Sequence, residues 1–213
     1  MTRAKPARRP EARPDEILDA ALKVFTDKGF SAARMDDVAK AAGLSKGAVY
    51  LYFDSKETLL EALIARSAGR LVADAAAFID AAADADPEGT LRAVVQGIAR
   101  GLADPNISAA PRLMISEAHR FPRIATYYRK NVVNVGKAAF ARLIAAGVRK
   151  GVFRDVDPKV AARAFAGPLF ANMVLTFILP DPDDPPLDPD DLAAKAFDIL
   201  FNGLAAPSSK ETK

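Results

Sequence analysis

Between Met35 and Phe53 the apolar positions fall into two short stripes at helical spacing, separated by Gly43-Leu44-Ser45. Val38, Ala39 and Ala42 share one face of the first stripe, with Asp36, Asp37 and Lys40 left for its wet side. Gly43 suits the tight turn that lets two helices meet steeply. Ser45 can then cap a second helix, predicted over Lys46 to Phe53, by accepting a bond from its first free N–H groups. Val49 and Phe53 lie four apart and anchor that helix to a core, which leaves Lys46, Gly47, Tyr50 and Leu51 largely elsewhere. A mid-helix glycine costs about 1 kcal/mol relative to alanine, so Gly47 points to close approach of the backbone by a phosphate or a base edge.

The same spacing runs through the rest of the chain. Pro14 suits a first turn, Asp15 and Glu16 complement the helix dipole, and Lys28-Gly29 ends helix 1. Ser55 opens a helix that carries Leu59, Leu60, Leu63 and Ile64 toward Ile79, with Gly69 a bend or boundary. Asp86 to Gly89 reads as a loop, Thr90 to Leu102 as a helix, Ala103 to Ala110 as a break, and Pro111 as the start of the next helix, which Phe121-Pro122 interrupts. Ile124 to Lys150 is predicted as one long helix with Val132, Val135, Ala139, Leu143 and Ala146 near one stripe, ending at Gly151. Pro158 begins an apolar helix through Leu179, and a last helix spans Leu192 to Leu204. No alternating pattern or Asn-Gly hairpin signal appears, so the fold class is all-α.

Composition narrows the chemistry. In 213 residues there is no Cys, which excludes disulfides and thiolate metal sites. No signal sequence or run of eighteen apolar residues is present, so a cytoplasmic protein with no membrane partner is expected. The net charge of +3 leans toward nucleic acid only modestly. Much of the excess sits in a basic arm, where Arg3, Lys5, Arg8, Arg9 and Arg13 face the single acid Glu11. Such an arm is either simply solvated or a phosphate contact.

Enzymatic candidates are thin. A di-iron bundle needs Glu-x-x-His twice, and the chain has one His, with Glu117-Ala-His119 at the wrong spacing. No nucleophile elbow, phosphate-binding glycine loop or zinc-protease motif occurs, so no catalytic residue, cofactor or metal is expected. Pro180 to Asp191 is read as an exposed acidic loop, because it lacks the spacing, glycine and final Glu of a calcium loop.

Residues 14–63 are similar to the DNA-binding domain of TetR/AcrR transcriptional regulators. The segments carrying the resemblance are ILDAALKVFTDKGF from Ile17, MDDVAKAAGLSKGAVYLYF from Met35 and SKETLLEAL from Ser55. It implies a basic, disordered arm (1–13), a three-helix DNA-binding domain (14–54), a helical effector-binding and dimerisation domain (55–205) and a flexible tail (206–213). Lys46, Gly47, Ala48, Tyr50 and Leu51 would lie in or near the major groove, with Ser45 beside them, and Tyr52 and Lys56 would hold phosphates. Arg34 stands where the family commonly has a helix-capping Ser or Thr, which puts that cap in question and offers a phosphate bond in its place. Ala48 stands where Thr is frequent, and its methyl can meet a thymine methyl. Arg112 to Lys130 is similar to the AefR-like branch.

The resemblance further implies a homodimer on a near-palindromic double-stranded operator, released by a small lipophilic effector. The dimer is expected through the last two helices, where Phe165, Leu169, Met173 and Phe177 lie four apart; the bland reading is that this stripe packs within its own subunit. Candidate apolar pocket residues are Phe78, Ile98, Leu102, Met114, Phe121 and Tyr127, together with Phe140, Phe170 and Met173. His119, Arg120, Asn172 and Tyr128 are the candidate polar contacts. More often such residues are simply core. An interaction module that has lost DNA binding is the alternative function.

Overall fold

In the computed structural model of the protein, residues 13–177, 179, 181–183 and 188–204 are described. Every element among them is helical: α1 (Arg13–Lys28), α2 (Met35–Ala42), α3 (Lys46–Tyr50), α4 (Lys56–Ile64), α5 (Arg70–Ala82), α6 (Pro87–Ala103), α7 (Pro105–Glu117), α8 (Pro122–Tyr128), α9 (Asn134–Arg149), α10 (Pro158–Phe177) and α11 (Pro189–Leu204). The bend anticipated at Gly69 is a π turn, Ala65–Gly69, joining α4 to α5, and a second π turn, Arg129–Val133, joins α8 to α9. The basic arm up to residue 12 and the tail lie outside the described residues.

Local signals explain most boundaries, and they correct several predicted ones. Asp86 caps α6 by accepting the N–H of Gly89 at 2.9 Å, so that helix starts at Pro87 inside the expected loop. Asp104 accepts the N–H of Asn106 at 2.8 Å and Pro105 takes the first helical position, so α7 fills the expected break and Pro111 lies within it. A proline tolerates that first position because its missing N–H would have had no intrahelical partner there. The start of α11 likewise absorbs the end of the acidic loop, since Asp188 accepts from the N–H of Asp190 at 2.9 Å. Val135, expected on the buried stripe of α9, is exposed.

Two hydrophobic cores result. One gathers Ile17, Phe25, Phe30, Val38, Val49, Leu59 and Ile64 from α1–α4 with Ala110, Met114, Ile124 and Val132 from α7, α8 and the second π turn. It therefore crosses residue 54, and the N-terminal unit is packed on the larger domain. The other gathers Ile79, Leu91, Val95, Leu143, Phe153, Phe165 and Phe197. Phe165 is 1 % exposed and stacks on Phe140, ring centroids 6.4 Å apart. This corrects its assignment to a dimer stripe; the side chains of Leu169, Met173 and Phe177 fall outside the described residues. α10 and α11 instead expose Val160, Leu175 and Ile199, with Leu179 just beyond α10.

Candidate nucleic-acid interface and effector cavity

The helix-turn-helix is built from its caps. Gly43, at φ 66°, ends α2 with its N–H on the carbonyls of Ala39 and Lys40, a left-handed conformation that glycine adopts without strain. Ser45 Oγ then accepts the N–H of Ala48 at 3.2 Å and starts α3. The doubt about the cap of α2 is resolved by Asp37. An arginine side chain has no acceptor to offer, so the Asp37 carboxylate reaches back to the N–H of Arg34 at 3.1 Å. Lys28, 2.6 Å from Asp37, holds that carboxyl below the usual carboxylate range, with the Arg34 N–H assisting.

α3 is shorter than predicted, ending at Tyr50 rather than Phe53. The N–H groups of Tyr52 and Phe53 both return to the Val49 carbonyl at 3.0 Å, which turns the chain toward the capped start of α4 at Ser55. Val49 is fully buried and Phe53 packs on the same core, as the spacing required. The rest of the segment stands clear: Leu51 is 83 % exposed, Tyr50 and Tyr52 are exposed, as are Arg34, Ser45, Lys46 and Gly47, and Ala48 is half-buried between them. A Cβ built on Gly47 would meet nothing within 4 Å, so the lack of a side chain there serves no contact inside the molecule. Lys46 Nζ lies 2.8 Å from Asp36 and 5.9 Å from the Tyr50 ring centroid.

Lys56 occupies a different place from the one the resemblance implied. Its ammonium donates to the carbonyls of Phe30 (2.9 Å), Ser31 (2.9 Å) and Ala33 (3.3 Å), and lies 4.8 Å from the Phe30 ring centroid and 5.6 Å from that of Phe121. An ammonium has three donors. All three are engaged within the protein, so Lys56 is a clamp on the α1–α2 loop rather than a free phosphate ligand. The loop is tied to the larger domain as well, through Ser31 Oγ donating to Glu117 at 2.8 Å and the Phe30–Phe121 edge contact at 4.8 Å.

In the larger domain a cavity of about 510 Å³ opens between α5, α6, α9 and α10, with both π turns in its wall. Of the predicted residues it brings together Ile98, Leu102, Tyr128 and Phe140. Burial pushes the Tyr128 hydroxyl up to about 12. Other predicted lining residues are corrected: Phe78 is exposed, Met114 is buried in the first core, Phe121 packs on Phe30, and Tyr127 packs on the first core. His119 and Arg120 are exposed at the end of α7, Arg120 reaching Ser31, and Asn172 donates to the Pro168 carbonyl at 2.9 Å. The side chains of Phe170 and Met173 lie outside the described residues.

Sequence reasoning missed Ala68, Leu71, Val72, Val132, Val133, Gly136, Lys137 and Arg163. Gly101 is the nearest thing to a signal: a Cβ there would come within 2.6 Å of Leu71, so the glycine lets α5 and α6 close over one side of the cavity. No group of His, Cys, Asp or Glu able to hold a metal occurs among the described residues, nor any helix long and apolar enough to cross a membrane.

Comparison with known proteins agrees with this two-part layout. Residues 17–63 match the family model described as bacterial regulatory proteins, tetR family, and residues 82–186 match one described as tetracyclin repressor-like, C-terminal domain. The second description does not carry the AefR name. Over 65 residues the chain is 46 % identical to an uncharacterized helix-turn-helix transcriptional regulator of Mycobacterium tuberculosis, a match spanning 30 % of this chain and only 32 % of that one. Over 196 residues it is 26 % identical to the transcriptional repressor KstR2 of Rhodococcus jostii, covering 92 % of each chain. The fold matches that of the transcriptional regulator FadR of Bacillus subtilis, solved in complex with stearoyl-CoA, with a TM-score of 0.68 at 20 % identity over 89 % of this chain and 98 % of that one.

Proposed function

The chain belongs to the tetR family of bacterial regulatory proteins, and on that premise we propose that it represses transcription by holding a near-palindromic operator as a homodimer until a lipophilic effector fills the cavity. The observation that carries the reading is the free face of α3. Val49 fixes the helix from below while Lys46, Gly47, Tyr50 and Leu51 face outward. Exposed Leu and Tyr side chains beside a cation suit a major groove, where apolar groups meet thymine methyls and lysine donates to guanine. Arg34, Ser45, Ala48 and Tyr52 would complete the contact, with hydroxyls and guanidinium on phosphate.

The dimer in this reading uses α10 and α11, where Val160, Leu175 and Ile199 are apolar side chains that an isolated subunit would leave in water. Two copies of α3 about 34–36 Å apart would then meet successive turns of the duplex, in the cytoplasm where the chromosome lies.

Coupling follows from what the cavity touches. Ala68 of the first π turn and Val132 of the second lie both in its wall and in the first core, which also holds the DNA-binding unit. A ligand that wedges these turns apart favours a different setting of α4 and α8, and with them of α3. Such a ligand shifts the equilibrium only by its differential affinity for the two settings, about 5.5 kcal/mol for a swing from 1:99 to 99:1. An acyl-thioester-bound relative of the same fold accords with a lipophilic occupant.

The test is operator selection from random duplex with the purified protein, followed by titration of the selected site. Enrichment of a near-palindrome bound by a dimer, and its loss for Lys46→Ala with stability intact, is expected. Recovery of no preferred sequence would leave the interaction-module reading in its place.

A further inference from the structure

We infer that the cavity takes an anionic amphiphile, with its apolar tail against Leu71, Val72, Ile98 and Phe140 and its anionic head between Lys137 of α9 and Arg163 of α10. The inference rests on the effector reading of the cavity and assigns its ligand class.

Among the described residues the wall is almost wholly hydrocarbon, yet it includes two cations and no carboxylate. Neither cation is ion-paired to another described residue. Two other cations of α9, by contrast, are matched to acids on α5 or just beyond it: Arg142 to Asp80 at 2.8 Å and Arg149 to Asp84 at 2.8 Å. Lys137 and Arg163 come from two different helices and converge on the one concavity. An uncharged ligand covering them would strip water from both charges without replacing it, which costs free energy. A carboxylate or phosphate there replaces the water with charge-assisted bonds, strengthened by the low-dielectric wall beside them. The volume of about 510 Å³ lies within the usual range for small-molecule sites and admits a medium acyl chain, with any larger head group outside the mouth.

The experiment uses the full-length protein without DNA and measures binding by calorimetry for three probes of equal chain length: dodecanoate, dodecanoyl-CoA and dodecanol. Dodecanoate or the thioester should bind at least tenfold more tightly than the alcohol, and added salt should narrow the gap. The double variant Lys137→Met/Arg163→Met, checked by its melting curve, should bring the anion-to-alcohol ratio near one, while Lys137→Arg should keep it. Which of the two anions binds better identifies the source of the head group. An alcohol bound as well as the anions, a ratio untouched by the double variant, or no binding of either anion overturns the assignment. A separate operator titration with the better anion at saturation tells the two readings apart: unchanged operator affinity would sink the effector reading and leave the ligand class standing.

Discussion

The ammonium of Lys46 stands 2.8 Å from the carboxylate of Asp36, which ties the first residue of α3 to the first turn of α2. Both groups are more than half exposed, so the pair adds little to stability. Its hydrogen bond holds Lys46 above the ordinary lysine value, and the pair keeps a negative charge on the surface proposed to meet DNA. Asp36→Asn should therefore raise affinity for random duplex by roughly three- to tenfold and steepen the salt dependence by up to about one counterion. Anisotropy titrations at several salt concentrations measure both; an unchanged slope would mean that Lys46 stays off the phosphates and bases alike.

Gly47 should give effects of opposite sign. Nothing lies within 4 Å of a Cβ there, so Gly47→Ala should stabilise the free protein by up to about 1 kcal/mol through helix propensity. The same methyl sits where the duplex backbone or a base edge would approach, and operator affinity should fall about tenfold or more. Chemical denaturation alongside operator titration separates the two.

For Lys56, loss of the clamp on the Phe30, Ser31 and Ala33 carbonyls should dominate. Lys56→Met should lower stability by about 1–3 kcal/mol, the cost of leaving part-buried acceptors unpaired. Operator affinity should drop with the salt slope unchanged. A phosphate contact would behave the other way, lowering the slope by about one with stability kept.

Gly147 packs directly beneath the buried Phe153 ring, and a Cβ added there would overlap it. Gly147→Ala should destabilise by about 1–3 kcal/mol despite the better helix propensity, because a ring that is 2 % exposed has little room to move. A melting temperature equal to or above that of the parent would count against this packing.

Alkaline titration tests Tyr128. Its folded value of about 12 lies above the ordinary 10.0, so the unfolded chain loses this proton first. The contribution is complete below pH 10 and is lost as pH rises toward 12, amounting to about 3 kcal/mol for a shift of this size. Tyr128→Phe should flatten stability across that window relative to the parent. Equal slopes for the two proteins would place the hydroxyl in water.

Much of the DNA-facing unit was legible because its signals are local. Gly43 needs its left-handed turn, Ser45 its free N–H groups and Val49 its apolar neighbour, and all three requirements are written within a few residues. The length of α3 was not, since the turn after Tyr50 is set by where α4 begins. Nor was Lys56, whose type suits a phosphate but whose partners lie more than twenty residues upstream. Nor was the cap of α2, which Arg34 puts in question and which the Asp37 carboxylate supplies from within the helix.

By itself the sequence determined that the chain is helical, where the helix-turn-helix lies and which face of α3 is free of the core, because helical periodicity and caps depend on neighbours a turn or two away. Only the tertiary structure decided that Phe165 packs inward on Phe140, that Phe121 locks onto Phe30 instead of lining a pocket, and that Lys137 and Arg163 converge on the cavity. A cavity is space that several helices fail to fill, and its position depends on how they cross, which no single stripe of residues encodes.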